Sequence, residues 1–122
     1  MCCCIQRIHR GRERPVFVDV EPTTGNVDAD LIEAAITVRT RAIITLHLYG
    51  QMCDMRTIKR IADQYSLAVI EDSAHCAEGD IDGIRPGQLR NAACFSFLAT
   101  KNITSGEGGA IATNGGKLAS RL

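Results

Sequence analysis

The chain has three lysines, Lys59, Lys101 and Lys117, and one of them stands where an amine could do chemistry. Lys101 follows an apolar run, Ala92-Ala93-Cys94-Phe95-Ser96-Phe97, and lies near the start of a small, polar, glycine-rich stretch from Thr100 to Gly109. Upstream, Glu71-Asp72 closes a second apolar run, Leu67-Ala68-Val69-Ile70. An amine and a carboxylate set past the ends of neighbouring strands suit a pyridoxal phosphate (PLP) site. The amine condenses with the cofactor aldehyde, and the carboxylate keeps the pyridine nitrogen protonated.

Further residues belong to the same reading. In open α/β sheets ligands collect beyond the carboxyl ends of the strands, so Asp72 and the segment from Ser96 to Lys101 are candidates for one pocket. Ser96, Thr100, Asn102 and Thr104 offer hydroxyl and backbone donors to a phosphate. His75, three residues after Asp72, would share a pocket wall if the chain curls there. His47, near the end of another apolar run, points toward the same edge. Plainer uses compete with each of these. Asp72 could cap a turn, His75 could be a half-buried histidine bonded to backbone, and Glu71 reads as structural. The cluster Gly106, Gly108, Gly109 is a weak signal. It does not match the phosphate loop of nucleotide hydrolases, because there the lysine follows the glycines.

The elements that must position these groups alternate. Val16–Val20 reads as a short strand, and Glu21–Asn26 as a turn with both proline and glycine. Asp28 or Asn26 can cap a helix with Leu31, Ile32, Ala35 and Ile36 on one face. Ala42–Leu48 reads as a strand buried on both sides. Asp54 caps the next helix, where Met55, Ile58, Ile61, Ala62 and Tyr65 recur at helical spacing and Lys59 takes the solvated face. Leu67–Glu71 is a buried strand. The stretch 78–91 breaks into turns, Ala92–Phe97 resumes as strand, Gly109–Thr113 is one more strand, and Gly115–Leu122 begins a helix. This rhythm predicts an α/β fold, with a mainly parallel sheet and helices packed against it.

Composition narrows the partners. Fourteen basic residues balance 14 acidic ones, so no net field draws nucleic acid or an anionic membrane. No apolar run reaches the roughly 18 residues of a membrane span, and a cytoplasmic location is the default expectation. The six cysteines contain no C-x-x-C pair. Cys53, Cys76 and Cys94 read as buried free thiols. Residues 1–14 read as an irregular, poorly ordered leader. A zinc or lipid site at Cys2, Cys3 and Cys4 with His9 is the weaker of the two readings of that leader, and no metal is expected.

Three runs together carry a family resemblance: Val69-Ile70-Glu71-Asp72-Ser73-Ala74-His75, Ala93-Cys94-Phe95-Ser96-Phe97, and Thr100-Lys101-Asn102-Ile103-Thr104-Ser105-Gly106-Glu107-Gly108-Gly109. With Phe17–Val20 and His47–Gln51 in the right order, the segment 15–122 resembles the DegT/DnrJ/EryC1/StrS aminotransferases. The resemblance implies the central part of the three-layer α/β/α large domain of a fold-type-I PLP enzyme, truncated at both ends. It implies that Lys101 is the cofactor lysine, Asp72 the pyridine-nitrogen partner, Ser96 a phosphate ligand and His75 a neighbour of the cofactor ring. The reaction implied moves an amino group from an amino acid, usually glutamate, to a nucleotide-linked keto sugar, in polysaccharide, lipopolysaccharide or amino-sugar biosynthesis. It implies a homodimer in the full-length protein. Leu98 stands where an aromatic residue is common in the family, and Arg90-Asn91 replaces a usual Gly-Asp. A fragment of this kind is expected to be inactive alone. The competing reading is a non-catalytic truncated α/β domain that binds a nucleotide sugar or a protein partner.

Overall fold

Apolar side chains at helical spacing between Asp54 and Tyr65 build the helix on which the sheet packs. The computed structural model describes residues 8, 11, 13–89 and 91–122. In chain order its elements are α1 (Ala29–Ala35), β1 (Ala42–Leu46), α2 (Met55–Gln64), β2 (Ala68–Asp72), β3 (Ala92–Ser96), β4 (Gly109–Ala112) and the single turn α3 (Gly116–Ala119). Asp54 caps α2 as expected: Oδ1 accepts from the backbone N–H groups of Arg56 and Thr57, each at 3.1 Å. Met55, Ile58, Ile61 and Ala62 are buried on one side, each isoleucine contributing roughly 1.5–3 kcal/mol relative to exposure. Lys59 lies on the outer side, paired with Asp63.

The fold is mixed α/β with a mostly parallel sheet, consistent with part of a fold-type-I domain. Strand order is β1-β2-β3-β4; the first two pairings are parallel and β3–β4 is antiparallel. Register assigns every side chain to a face. Thr45 pairs with Glu71 and Glu71 with Ala93, so these three share a face with Val69. That face meets α2, where the Thr45 hydroxyl lies 4.0 Å from Met55 Sδ. Ile44, Ile70, Asp72, Cys94 and Ile111 occupy the opposite face.

Two expectations change here. The sequence predicts Ala42–Leu48 buried on both sides, but Ile44 within it is 41% exposed. The described elements build the sheet and one helical layer; no described helix packs on the Ile44 face. Val16–Val20 is not a strand. Val20 makes one isolated antiparallel bridge to Val27, while Val16 and Phe17 lie exposed. Strand-forming residues need a partner edge, and this segment has only its own turn to pair with.

Of the two caps the sequence allows for α1, the structure uses Asp28, its Oδ1 accepting from Asp30 N at 3.0 Å. Asn26 is buried and serves the site described below. No described helix is long and apolar enough to cross a membrane. The leader reading, the Cys2–Cys4 and His9 reading, and Arg90 all lie largely or wholly outside the described residues. Among the described residues no three His, Cys, Asp or Glu side chains converge as metal ligands would.

Candidate cofactor site

β2 and β3 run parallel with Asp72 opposite Cys94, so their carboxyl ends emerge at one edge of the sheet. Asp72 is the last residue of β2 and lies on the open face beside Cys94. The Cys94 thiol is pushed up first by burial and then by the Asp72 charge, which puts the carboxylate near that thiol. Asp72 Oδ1 also accepts from Ala74 N at 3.2 Å, the turn-capping role that the sequence allowed. Ser96 ends β3 two residues beyond Cys94 and therefore on the same face.

Past Asp72 the chain curls as the reading required. Ser73 N donates to Cys94 O at 2.8 Å, and Cys76 N donates to Ser73 O at 3.0 Å, so His75 sits in a turn over the end of β3. Past Ser96, Phe97 closes the glycine-rich loop. Its N–H donates to Gly108 O, and its carbonyl accepts from Ser105 N and from the Thr104 hydroxyl. Lys101 is fixed in a turn by donation to Leu98 O at 2.9 Å. Its side chain reaches across 26 residues of sequence to His75, with Nζ 3.0 Å from Nε2. The amine and the imidazole thus meet past the ends of β2 and β3, and Asp72 closes β2 three residues before His75.

Other expected members stand elsewhere. The Thr104 hydroxyl is engaged in loop closure, donating to Phe97 O and accepting from Gly106 N. His47 does not face the edge. It is fully buried on the helix side of the sheet, where Nε2 meets Glu71 Oε2 at 3.0 Å. Cys53 N donates to His47 Nδ1 at 3.2 Å, which fixes the proton on Nε2, and Glu71 Oε1 accepts from Gly87 N at 3.1 Å. Glu71 is the structural residue it was expected to be. It points away from Asp72 because consecutive strand residues face opposite ways.

Two contributors were not anticipated. The Tyr49 ring stands edge-on to His75, with centroids 6.2 Å apart and planes at 74°. Asn26 clamps the turn that carries Tyr49: Leu48 N donates to Asn26 Oδ1 at 2.9 Å, and Asn26 Nδ2 donates to Gln51 O at 3.0 Å. The sequence signal for that turn was the Tyr49-Gly50 step just after an apolar strand.

These residues fit PLP. They offer an amine to hold an aldehyde, a carboxylate to face a pyridinium, an imidazole beside the amine, and a hydroxyl within the same edge of sheet. Ser73 Oγ, next to Asp72, is a buried side-chain oxygen with no hydrogen-bond partner. One residue on from Asp72, it faces the helix side of the sheet with Glu71 and not the open face.

The model of the DegT/DnrJ/EryC1/StrS aminotransferase family matches residues 3–122, and so takes in most of the segment read as leader. The chain is 48% identical over 108 residues to GDP-perosamine synthase of Caulobacter vibrioides, which covers 88% of this chain and 29% of that protein. It is 47% identical over 115 residues to the pleiotropic regulatory protein of Geobacillus stearothermophilus, covering 93% and 31%. Among solved structures, DesI in the presence of its TDP-sugar product superposes with a TM-score of 0.89 at 38% identity, over 97% of this chain and 30% of that one. NtdA of Bacillus subtilis with bound cofactor PMP superposes with a TM-score of 0.84 at 36% identity, over 93% and 26%. The chain therefore spans about a third or less of the length of each relative.

Proposed function

This chain belongs to the DegT/DnrJ/EryC1/StrS aminotransferase family, whose members are PLP-dependent, and from that premise we propose that it carries the cofactor-holding segment of a transaminase acting on a nucleotide-linked keto sugar. The observation that carries the proposal is the 3.0 Å approach of Lys101 Nζ to His75 Nε2, three residues past Asp72 at the end of β2. PLP, when bound, supplies an electron sink that stabilises negative charge on the substrate carbon bearing the amino group.

Lys101 would hold the aldehyde end, and its Nζ, once free, would carry a proton to or from the substrate carbon. Asp72 would hold the ring nitrogen through a charge-assisted hydrogen bond, favoured by its half-buried position. Ser96 would donate its hydroxyl to the phosphate. His75 would border the ring and keep Lys101 Nζ at the strand ends. The names of GDP-perosamine synthase and of DesI with its TDP-sugar product support a nucleotide sugar as amino acceptor. An amino acid such as glutamate would be the donor. A homodimeric, cytoplasmic enzyme is the assembly and location we propose for the whole protein. The formal net charge is zero, and no described helix is long and apolar enough to cross a membrane.

Mixing the chain with PLP tests the assignment. Wild type should give an absorbance band that borohydride bleaches, with a reduced adduct mapped to Lys101, and Lys101→Ala should give neither. Identical spectra for the two proteins would end the proposal.

A further inference from the structure

We propose that Tyr49 is a positioning residue, which acts through the His75 imidazole to hold the Lys101 amine at the strand ends. The inference rests on the reading of Lys101 as the cofactor lysine and deepens it. Tyr49 is 80% exposed, so burial does not explain its place. It sits at φ 51°, followed by Gly50 at φ 83°, and Gln51 N donates to Leu48 O at 2.9 Å across the pair. Positive φ at both central residues is the pattern of a type I′ turn, which favours Asn-Gly and Gly-Gly. A bulky aromatic at the first of these positions is strained.

Strain of this kind persists only where the surroundings over-determine it, and here they do. One buried side chain, Asn26, accepts from Leu48 N and donates to Gln51 O, gripping the turn at both ends. The clamp forces the backbone into a shape that asparagine or glycine would adopt freely, yet tyrosine occupies it. What the tyrosine supplies is its ring, set edge-on to His75, whose Nε2 is 3.0 Å from Lys101 Nζ. The T-shaped contact limits rotation of an imidazole that otherwise stands in a turn. Removing the ring frees His75, and with it the amine.

Reductive methylation of the chain with formaldehyde and cyanoborohydride, followed site by site by mass spectrometry, reads this directly. The rate at Lys101 is compared with that at Lys59, which is paired with Asp63 on the far side of α2. An edge-on ring contact corresponds to a change of roughly 2- to 10-fold. Tyr49→Asn and Tyr49→Gly should therefore raise the Lys101-to-Lys59 ratio about 3-fold, at the low end for an exposed pair. Their melting temperatures should equal or exceed wild type. Tyr49→Phe, which keeps the ring, should keep the wild-type ratio. In a His75→Ala background Tyr49→Asn should add nothing further.

An unchanged ratio in Tyr49→Asn and Tyr49→Gly overturns the proposal, as does a Tyr49→Phe ratio raised as far as theirs. Melting temperatures that fall in both the asparagine and glycine variants overturn the strain argument on which it stands. Formaldehyde needs no cofactor. A wild-type chain that takes up no PLP would therefore remove the functional reading alone and leave this one to its own outcome.

Discussion

Replacing His47 with alanine should destabilise this chain by about 3–5 kcal/mol, the usual cost of stripping one partner from a buried pair. The magnitude follows from three hydrogen bonds in series. Cys53 N donates to His47 Nδ1, His47 Nε2 donates to Glu71 Oε2, and Gly87 N donates to Glu71 Oε1. His47 and Glu71 side chains are 0% and 1% exposed, so the Glu71 carboxylate loses its one side-chain donor within the protein interior. The alanine variant also orphans Cys53 N, a further cost of about 1–3 kcal/mol where the gap cannot admit water. Against a total stability of about 5–15 kcal/mol for a domain of this size, the loss is severe.

Glu71→Gln should cost less, about 1–3 kcal/mol. Its amide oxygen can accept from only one of the two facing donors, while its NH2 opposes the other. The double variant His47→Leu with Glu71→Leu removes the buried carboxylate together with the imidazole that serves it. It should cost less than the sum of its single variants by up to about 3 kcal/mol. Urea unfolding followed by circular dichroism gives each value from the shift in midpoint. A cost for His47→Ala below about 1 kcal/mol, or strict additivity in the cycle, would show that the pair is not the lock described.

Gly109→Ala should destabilise by about 1–3 kcal/mol, because a Cβ there would lie 2.7 Å from Phe95 O, a backbone atom that cannot step aside. Hydrogen exchange at the amides of β3 and β4 should accelerate in that variant and leave β1 unaffected, and uniform acceleration would refute a local clash. Burial pushes the Cys53 thiol up to about 12 from 9.0. The unfolded chain therefore loses this proton first on alkaline titration, and stability falls as pH rises through the window from 9.0 to about 12. Cys53→Ala should flatten that decline in denaturant midpoints measured across the window; an unchanged slope would refute the assignment.

How much of this was legible in the sequence depends on whether the decisive partner was local. The helix from Met55 to Gln64 was legible because its cap and its apolar spacing lie within one segment. The approach of Lys101 to His75 joins residues 26 apart, and only the parallel pairing of β2 with β3 brings the two together. Val16–Val20 has strand residues but no neighbouring edge among the described elements, and intrinsic preference does not supply one. Asn26 and Asp28 offered the same capping chemistry. The structure separates them by burial, giving the half-buried carboxylate to the helix and the buried amide to the Tyr49 turn.

The adjacent pair Glu71-Asp72 joins stability to chemistry. Two acids in succession at a strand end face opposite sides of the sheet. Glu71 goes to the helix side, where His47 and Gly87 N neutralise its burial. That lock ties the end of β2 to the residue following β1, through His47 N donating to Asp72 O at 3.0 Å as well as through the side chains. A one-residue slip of β2 would bury Asp72 beneath the sheet and turn Glu71 outward, a register that the buried histidine cannot satisfy. The carboxylate we assign to the cofactor on one face is thus held in place by the His47–Glu71 hydrogen bond on the other. For that reason His47, whose side chain lies on the opposite face, sets which way the Asp72 carboxylate is turned.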